Sequence, residues 1–263
     1  MKEIITRDKQ ILIKQIKEYI NIIRNEYNDY VQVTENIDLD KIVHIKDVGT
    51  ISLFIRNGEF YFPIEAYKVF EELKKDSKFG TNRNHQTYNN ETLLINNNNF
   101  LDYIEHLILI GATPLDYFQE ITLHETMHFC GSNGGSALME GLNEYLTRLV
   151  ALKYNLKTNG CGYPKEIKII QELVNLFGID IMTKLAFSKT KSETLEIFKD
   201  EEKANLIIEL NALMDEEFYG KYYKFKYPGL NGPFEKAKRY EEIDYSNAMK
   251  LIEEYKTKNS VKR

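Results

Sequence analysis

Apolar residues return at helical intervals through much of this chain. Over residues 8–27, Ile11, Ile13, Ile16, Ile20, Ile23 and Tyr27 recur every three or four positions, the pattern of an amphipathic helix laying one face on a core. The pattern then shortens. IVHIKDVG and ISLFIRNGEFYFP are rich in β-branched and aromatic residues, with Asn57-Gly58 placed where a type I′ turn closes a hairpin. A small antiparallel sheet is expected there. Pro63 opens a helical stretch, IEAYKVFEELKKD, and the polar segment after it reads as loop around one strand, residues 92–95. That strand could be paired within the sheet or could offer an edge to an extended peptide.

Residues 100–110 read as helix, and Thr113-Pro114-Leu115-Asp116 then combines an N-cap, a proline at N1 and an acid in the first turn. The helix it starts runs to a natural stop at Gly131. At 100° per residue Tyr117, Ile121, His124 and His128 fall within about 60° of one another, opposite Gln119, Thr122 and Thr126, and this stripe is read as the inward one. After the turn GSNGG, Ser136 can cap a second helix, ALMEGLNEYLTRLVALKY, held beside the first by the short connection. The rest is mostly helical: PKEIKIIQELVNLFG, IDIMTKLAF, one or two helices in SETLEIFKDEEKANLIIELNALMDEEFYG, a tyrosine-rich irregular segment, and a charged helix over residues 234–256. The expectation is an α+β fold, a single unit over 1–263 with approximate lobes 1–130 and 131–263, the second α-rich.

Composition narrows the partners. The chain has 263 residues, 43% of them hydrophobic, with 35 basic and 40 acidic side chains. No dense basic face suits nucleic acid or anionic lipid. No window approaches the ~18 consecutive apolar residues of a membrane span, and charges interrupt the N-terminal stretch too often for a signal peptide. Two cysteines, Cys130 and Cys161, suit a reducing compartment. A cytoplasmic protein without nucleic-acid or membrane partners is expected, its oligomeric state undetermined.

The chemistry concentrates in residues 121–148. His124-Glu125-Thr126-Met127-His128 puts two imidazoles at i and i+4, on one side of a helix where both can chelate one metal ion, with a glutamate placed to act as general base. The alternative is a pair of core histidines satisfied by neighbours. A third ligand could be Glu140 or Glu144, one turn apart on the second helix and opposite the stripe Leu138, Leu142, Leu146 and Leu149. The same face could simply show its acids to solvent, as such faces usually do, but the short GSNGG connection holds this helix beside the first. Cys130, at i+2, points about 200° away from His128 and reads as a small buried hydrophobe. His44, His85 and His106 have no ligand spacing.

HETMH followed by Glu140-Gly141-Leu142-Asn143-Glu144-Tyr145 resembles the gluzincin branch of zinc metallopeptidases, over about thirty residues. The resemblance implies a zincin-like fold, one Zn²⁺ per chain held by His124, His128 and Glu140, Glu125 as the base that activates zinc-bound water, and Glu144 supporting a zinc histidine from behind. The reverse assignment of Glu140 and Glu144 stays open. The sequence departs from the family in three respects. The connection from His128 to Glu140 is shorter than in the aminopeptidase and thermolysin types. Gly134 stands where the metzincin branch carries its third ligand and has no side chain to offer. No histidine follows His128, so an oxyanion stabiliser would have to be a tyrosine, with Tyr222, Tyr223 and Tyr227 as candidates among 18 tyrosines.

The implied activity is hydrolysis of peptide bonds in a peptide or protein substrate. Endopeptidase action is favoured because no Gly-x-Met-x-Asn segment of the aminopeptidase kind is present. Two other readings remain: a zinc-dependent hydrolase of a non-peptide amide or ester, and a binding or regulatory module on a zincin scaffold.

Overall fold

The computed structural model describes residues 2–33, 36–48, 53–75, 111–132, 134–156, 163–188, 190–222 and 243–260. The strand read at 92–95, the helix at 100–110, His85, His106, Cys161, Tyr223 and Tyr227 lie outside them. The chain divides into two compact units, Met1–Gly131 with Thr147–Cys161, and Ser132–Leu146 with Gly162–Arg263.

In the first unit, helix α1 (Lys2–Tyr27) buries Leu12, Ile16, Tyr19, Ile20 and Ile23. Ile11 is left 36% exposed, so the buried stripe is turned slightly from the one read in the sequence. Asp8 lies at the edge of this stripe, almost fully buried. Its carboxylate accepts hydrogen bonds from the Tyr67 hydroxyl at 3.0 Å and from Arg7 at 3.0 Å, which offsets the cost of taking a charge out of water. A short helix α2 (Leu39–Ile42) leads into strand β1 (Val43–Lys46), followed by β2 (Phe54–Arg56), β3 (Glu59–Pro63) and helix α3 (Ile64–Lys75).

The hairpin turn is as expected: Asn57 and Gly58 both have positive φ, 54° and 76°, which a type I′ turn requires. The sheet itself corrects the expectation of an antiparallel one. Its order is β1-β3-β2, with β2 antiparallel to β3 but β1 parallel to it, Val43 opposite Phe60 and Lys46 opposite Pro63. The segment of residues 47–58, β2 included, is long enough for the crossover a parallel pair needs. Central β3 turns Phe60 and Phe62 to one side, both fully buried. They meet Phe129 and Phe118 of helix α4 (Pro114–Phe129) at centroid distances of 4.9 and 5.2 Å. The sheet thus seats the helix that carries both site histidines.

Helix α5 (Ala137–Tyr154) gives its first part to the second unit and its last part to the first. The second unit continues through α6 (Pro164–Phe177), α7 (Ile179–Ala186), α8 (Lys191–Phe198), α9 (Glu201–Tyr222) and α10 (Ser246–Ser260). Gly178, at φ +84°, separates α6 from α7. Lys199, at φ +49°, ends α8, and Asp200 then caps α9 by accepting from the backbone N–H groups of Glu202 and Lys203 at 2.9 and 3.2 Å. The long charged run is therefore two helices. No helix among the described residues is long and apolar enough to cross a membrane.

Candidate metal centre

Helix α4 starts where the sequence says it should. Thr113 is its N-cap with Pro114 at N1, and a capping box closes the end: the Thr113 N–H donates to Asp116 Oδ2 at 2.7 Å while the Asp116 N–H donates to Thr113 Oγ1 at 3.4 Å. At the other end Cys130 is the C-cap and Gly131 takes φ +117°, its N–H donating to the His128 carbonyl at 3.0 Å. The Cys130 carbonyl accepts from the Gln32 N–H at 3.0 Å, so the chain after α1 ties down the helix end.

The burial around α4 differs from the sequence reading. Thr122 and Thr126, placed opposite the histidine stripe, are fully buried, each hydroxyl donating one turn back to Phe118 O at 2.5 Å and Thr122 O at 2.7 Å. Ile121 and His128 are half-buried. The threonine face is thus the packed one, and on the histidine stripe burial runs from Tyr117, 4% exposed, to the half-buried His128. The two imidazole rings stand 4.9 Å apart between centroids, at 78°. Further up the same stripe, burial and then the negative charge of Glu125 push the Tyr117 hydroxyl above the usual tyrosine range.

Glu140 comes from the first turn of α5. Ser136 caps this helix, its hydroxyl accepting from the Met139 N–H at 3.3 Å. Asp215 of α9 accepts from the Ala137 N–H at 2.7 Å. Gly135, at φ +82°, donates its N–H to Glu140 Oε1 at 3.1 Å, and the Tyr219 hydroxyl donates to the Gly135 carbonyl. Deeper in the same turn, the buried Ser132 hydroxyl donates to Asn143 Oδ1. Sequence reasoning missed Asp215 and Tyr219, because nothing in their local spacing links them to a turn some eighty residues earlier.

His124, His128 and Glu140 each offer a ligand atom, and these atoms all lie within 4.8 Å of one another. Among the described residues no other group of three such side chains comes together. Two imidazole nitrogens and a carboxylate oxygen form a donor set that divalent metal ions accept. Ligand atoms around a tetrahedral zinc stand roughly 3.4 Å apart, so closing on an ion needs a pair of these atoms to approach by up to about 1.4 Å. The three residues fit a metal ion.

Glu144 is 3% exposed, which removes the solvated-face reading at that position. Cys130 is fully buried, and burial pushes its thiol up to about 12, in keeping with a small packed residue. His44 lies on the sheet, 3.2 Å from Glu59, and belongs to no ligand cluster. Tyr222 is the last residue of α9, and Tyr223 and Tyr227 fall outside the described residues.

Comparison with protein-family models, with curated proteins and with solved structures yields no match to this chain.

Proposed function

We propose that this protein is a zinc-dependent metallopeptidase, and the observation that carries the reading is the convergence of His124, His128 and Glu140 beside a helix that also bears Glu125. The resemblance of HETMH and Glu140-Gly141-Leu142-Asn143-Glu144-Tyr145 to the gluzincin pattern supports the same ligand set. A zinc ion held there would supply Lewis-acid polarisation of a carbonyl and a lowered pKa for water.

The protein's own residues have separate tasks. His124 and His128 offer neutral nitrogens, and Glu140 a carboxylate oxygen. Glu125, next to the first histidine and half-buried, is the base: it takes a proton from the attacking water and gives it to the departing nitrogen, so the carboxylate ends the cycle ionised as it began. Glu144, buried one turn after Glu140, is assigned to a ligand histidine, accepting its second ring N–H and so fixing tautomer and orientation.

The test is a zinc titration paired with a peptide-cleavage assay. Glu125→Gln should bind zinc as the parent does and lose at least about a hundredfold in turnover. His124→Ala should lose both. Full turnover in Glu125→Gln would remove the base assignment. Stoichiometric zinc with cleavage of small amides or esters alone, or of nothing, would replace the peptidase reading by a different hydrolase or a binding module.

A further inference from the structure

Two residues of α9, one helical turn apart and therefore on the same side of it, reach the turn in front of Glu140. Asp215 accepts the Ala137 N–H at 2.7 Å and is itself steadied by Asn211, whose side-chain amide donates to its other oxygen at 3.3 Å. Tyr219 donates to the carbonyl of Gly135. Gly135 in turn donates its N–H to Glu140 Oε1 at 3.1 Å.

Each contact has a physical purpose. The first N–H groups of a helix have no partner within it, and a carboxylate there both accepts a bond and complements the positive end of the dipole. Gly135, in a left-handed conformation at φ +82°, could aim its N–H in other directions if its carbonyl were not anchored. A glutamate side chain has three rotatable bonds, and a ligand held in one rotamer before the ion arrives binds it more tightly than one that must be ordered on arrival.

We infer that Asp215 and Tyr219 are positioning residues for Glu140: they hold the Gly135 turn and the start of α5 so that the Gly135 N–H keeps the carboxylate in its ligand rotamer. The inference rests on the reading that His124, His128 and Glu140 hold a metal ion.

Calorimetric titration of the metal-free full chain with zinc alone tests it. Tyr219→Phe and Asp215→Ala should each raise the zinc Kd about tenfold, the size seen when partners of metal ligands are removed. Asp215→Asn keeps an oxygen that accepts the Ala137 N–H and should recover most of the loss. Placed on Glu140→Ala, Tyr219→Phe should change the zinc Kd by less than about twofold, since the group it positions is gone. The inference is overturned if the parent binds zinc while Tyr219→Phe leaves Kd unchanged, or if the loss is equal with and without Glu140, as general loosening would give. A parent chain that binds no zinc at all overturns the metal reading itself, and this inference with it. If Asp215→Ala does not fold by circular dichroism, Tyr219→Phe, which removes a single hydroxyl, decides.

Discussion

At the scale of single residues, the site divides carboxylates by surroundings. Glu140 is half-buried and takes an N–H from the turn before it, whereas Glu144 is almost wholly enclosed. If Glu140 is the direct ligand, Glu140→Gln should weaken zinc more than Glu144→Gln does, and the reverse order in a metal titration would exchange their roles. Gly141, between them, is set by packing and not by backbone conformation. A Cβ there would lie 2.5 Å from the Glu166 Cβ and 3.3 Å from its backbone carbon, and Glu166 cannot yield freely because it is fully buried and held by the Tyr245 hydroxyl. Helix propensity alone would make Gly141→Ala stabilising by roughly 1 kcal/mol. Overpacking costs roughly 1–3 kcal/mol, so the net outcome expected from urea denaturation is a less stable protein, and displacement of the neighbouring Glu140 should also lower zinc affinity. The histidine pair was legible in the sequence because i and i+4 is a local relation. Which face of α4 would be covered was not, since periodicity separates faces but does not say how many neighbours a helix has; Thr122 and Thr126 show the result.

At the scale of elements, the local signals held where the chemistry was local. The capping box at Thr113 and Asp116, the stop at Gly131, the Asn57-Gly58 turn and the break at Gly178 each depend on a few adjacent residues. Thr113→Ala should cost about 1 kcal/mol of stability in thermal or denaturant melts, the usual worth of a threonine N-cap. The parallel pairing of β1 with β3 was not legible, because strand direction depends on the path of a connecting segment and not on the alternation within a strand. A second long-range tie joins α1 to the end of α5: Glu26 accepts from Lys153 at 2.7 Å and from the Tyr154 hydroxyl at 2.5 Å. These bonds, Lys153 first, hold the Glu26 carboxyl below its ordinary value of 4.5. A depressed carboxylate contributes stability above its unfolded value and loses it as pH falls through the folded one. The melting temperature of the parent should therefore exceed that of Glu26→Gln near neutral pH, and the gap should shrink as pH drops below about 4.5.

At the scale of the whole molecule, the three residues that could hold a metal ion come from one short stretch, residues 124–140, yet that stretch is tied to distant parts of the chain. Gln32 and the sheet pack on α4, and α9 hydrogen-bonds the turn before Glu140. Metal binding to the native state alone stabilises it by mass action, about 2.7 kcal/mol at a free zinc concentration a hundredfold above Kd. Calorimetric melts should show a zinc-dependent rise in the parent and in Glu125→Gln, and none in His124→Ala. A rise in His124→Ala equal to the parent's would place the ion elsewhere.

The amino-acid sequence by itself determined what short-range physics controls: the helix that carries HETMH, its caps, the hairpin turn, and the pair of histidines on one face with a glutamate beside them. It also narrowed the candidates for a third metal-holding residue to two acids one turn apart. Tertiary structure decided the rest: that Glu140 joins the two histidines, that Glu144 is enclosed, that the sheet is mixed, and that Asp215 and Tyr219 reach back to the Gly135 turn. The reason is range. A cap or an i, i+4 pair is written within a few residues, whereas burial, strand direction and a hydrogen bond across some eighty positions depend on where the folded chain returns, which no local pattern encodes.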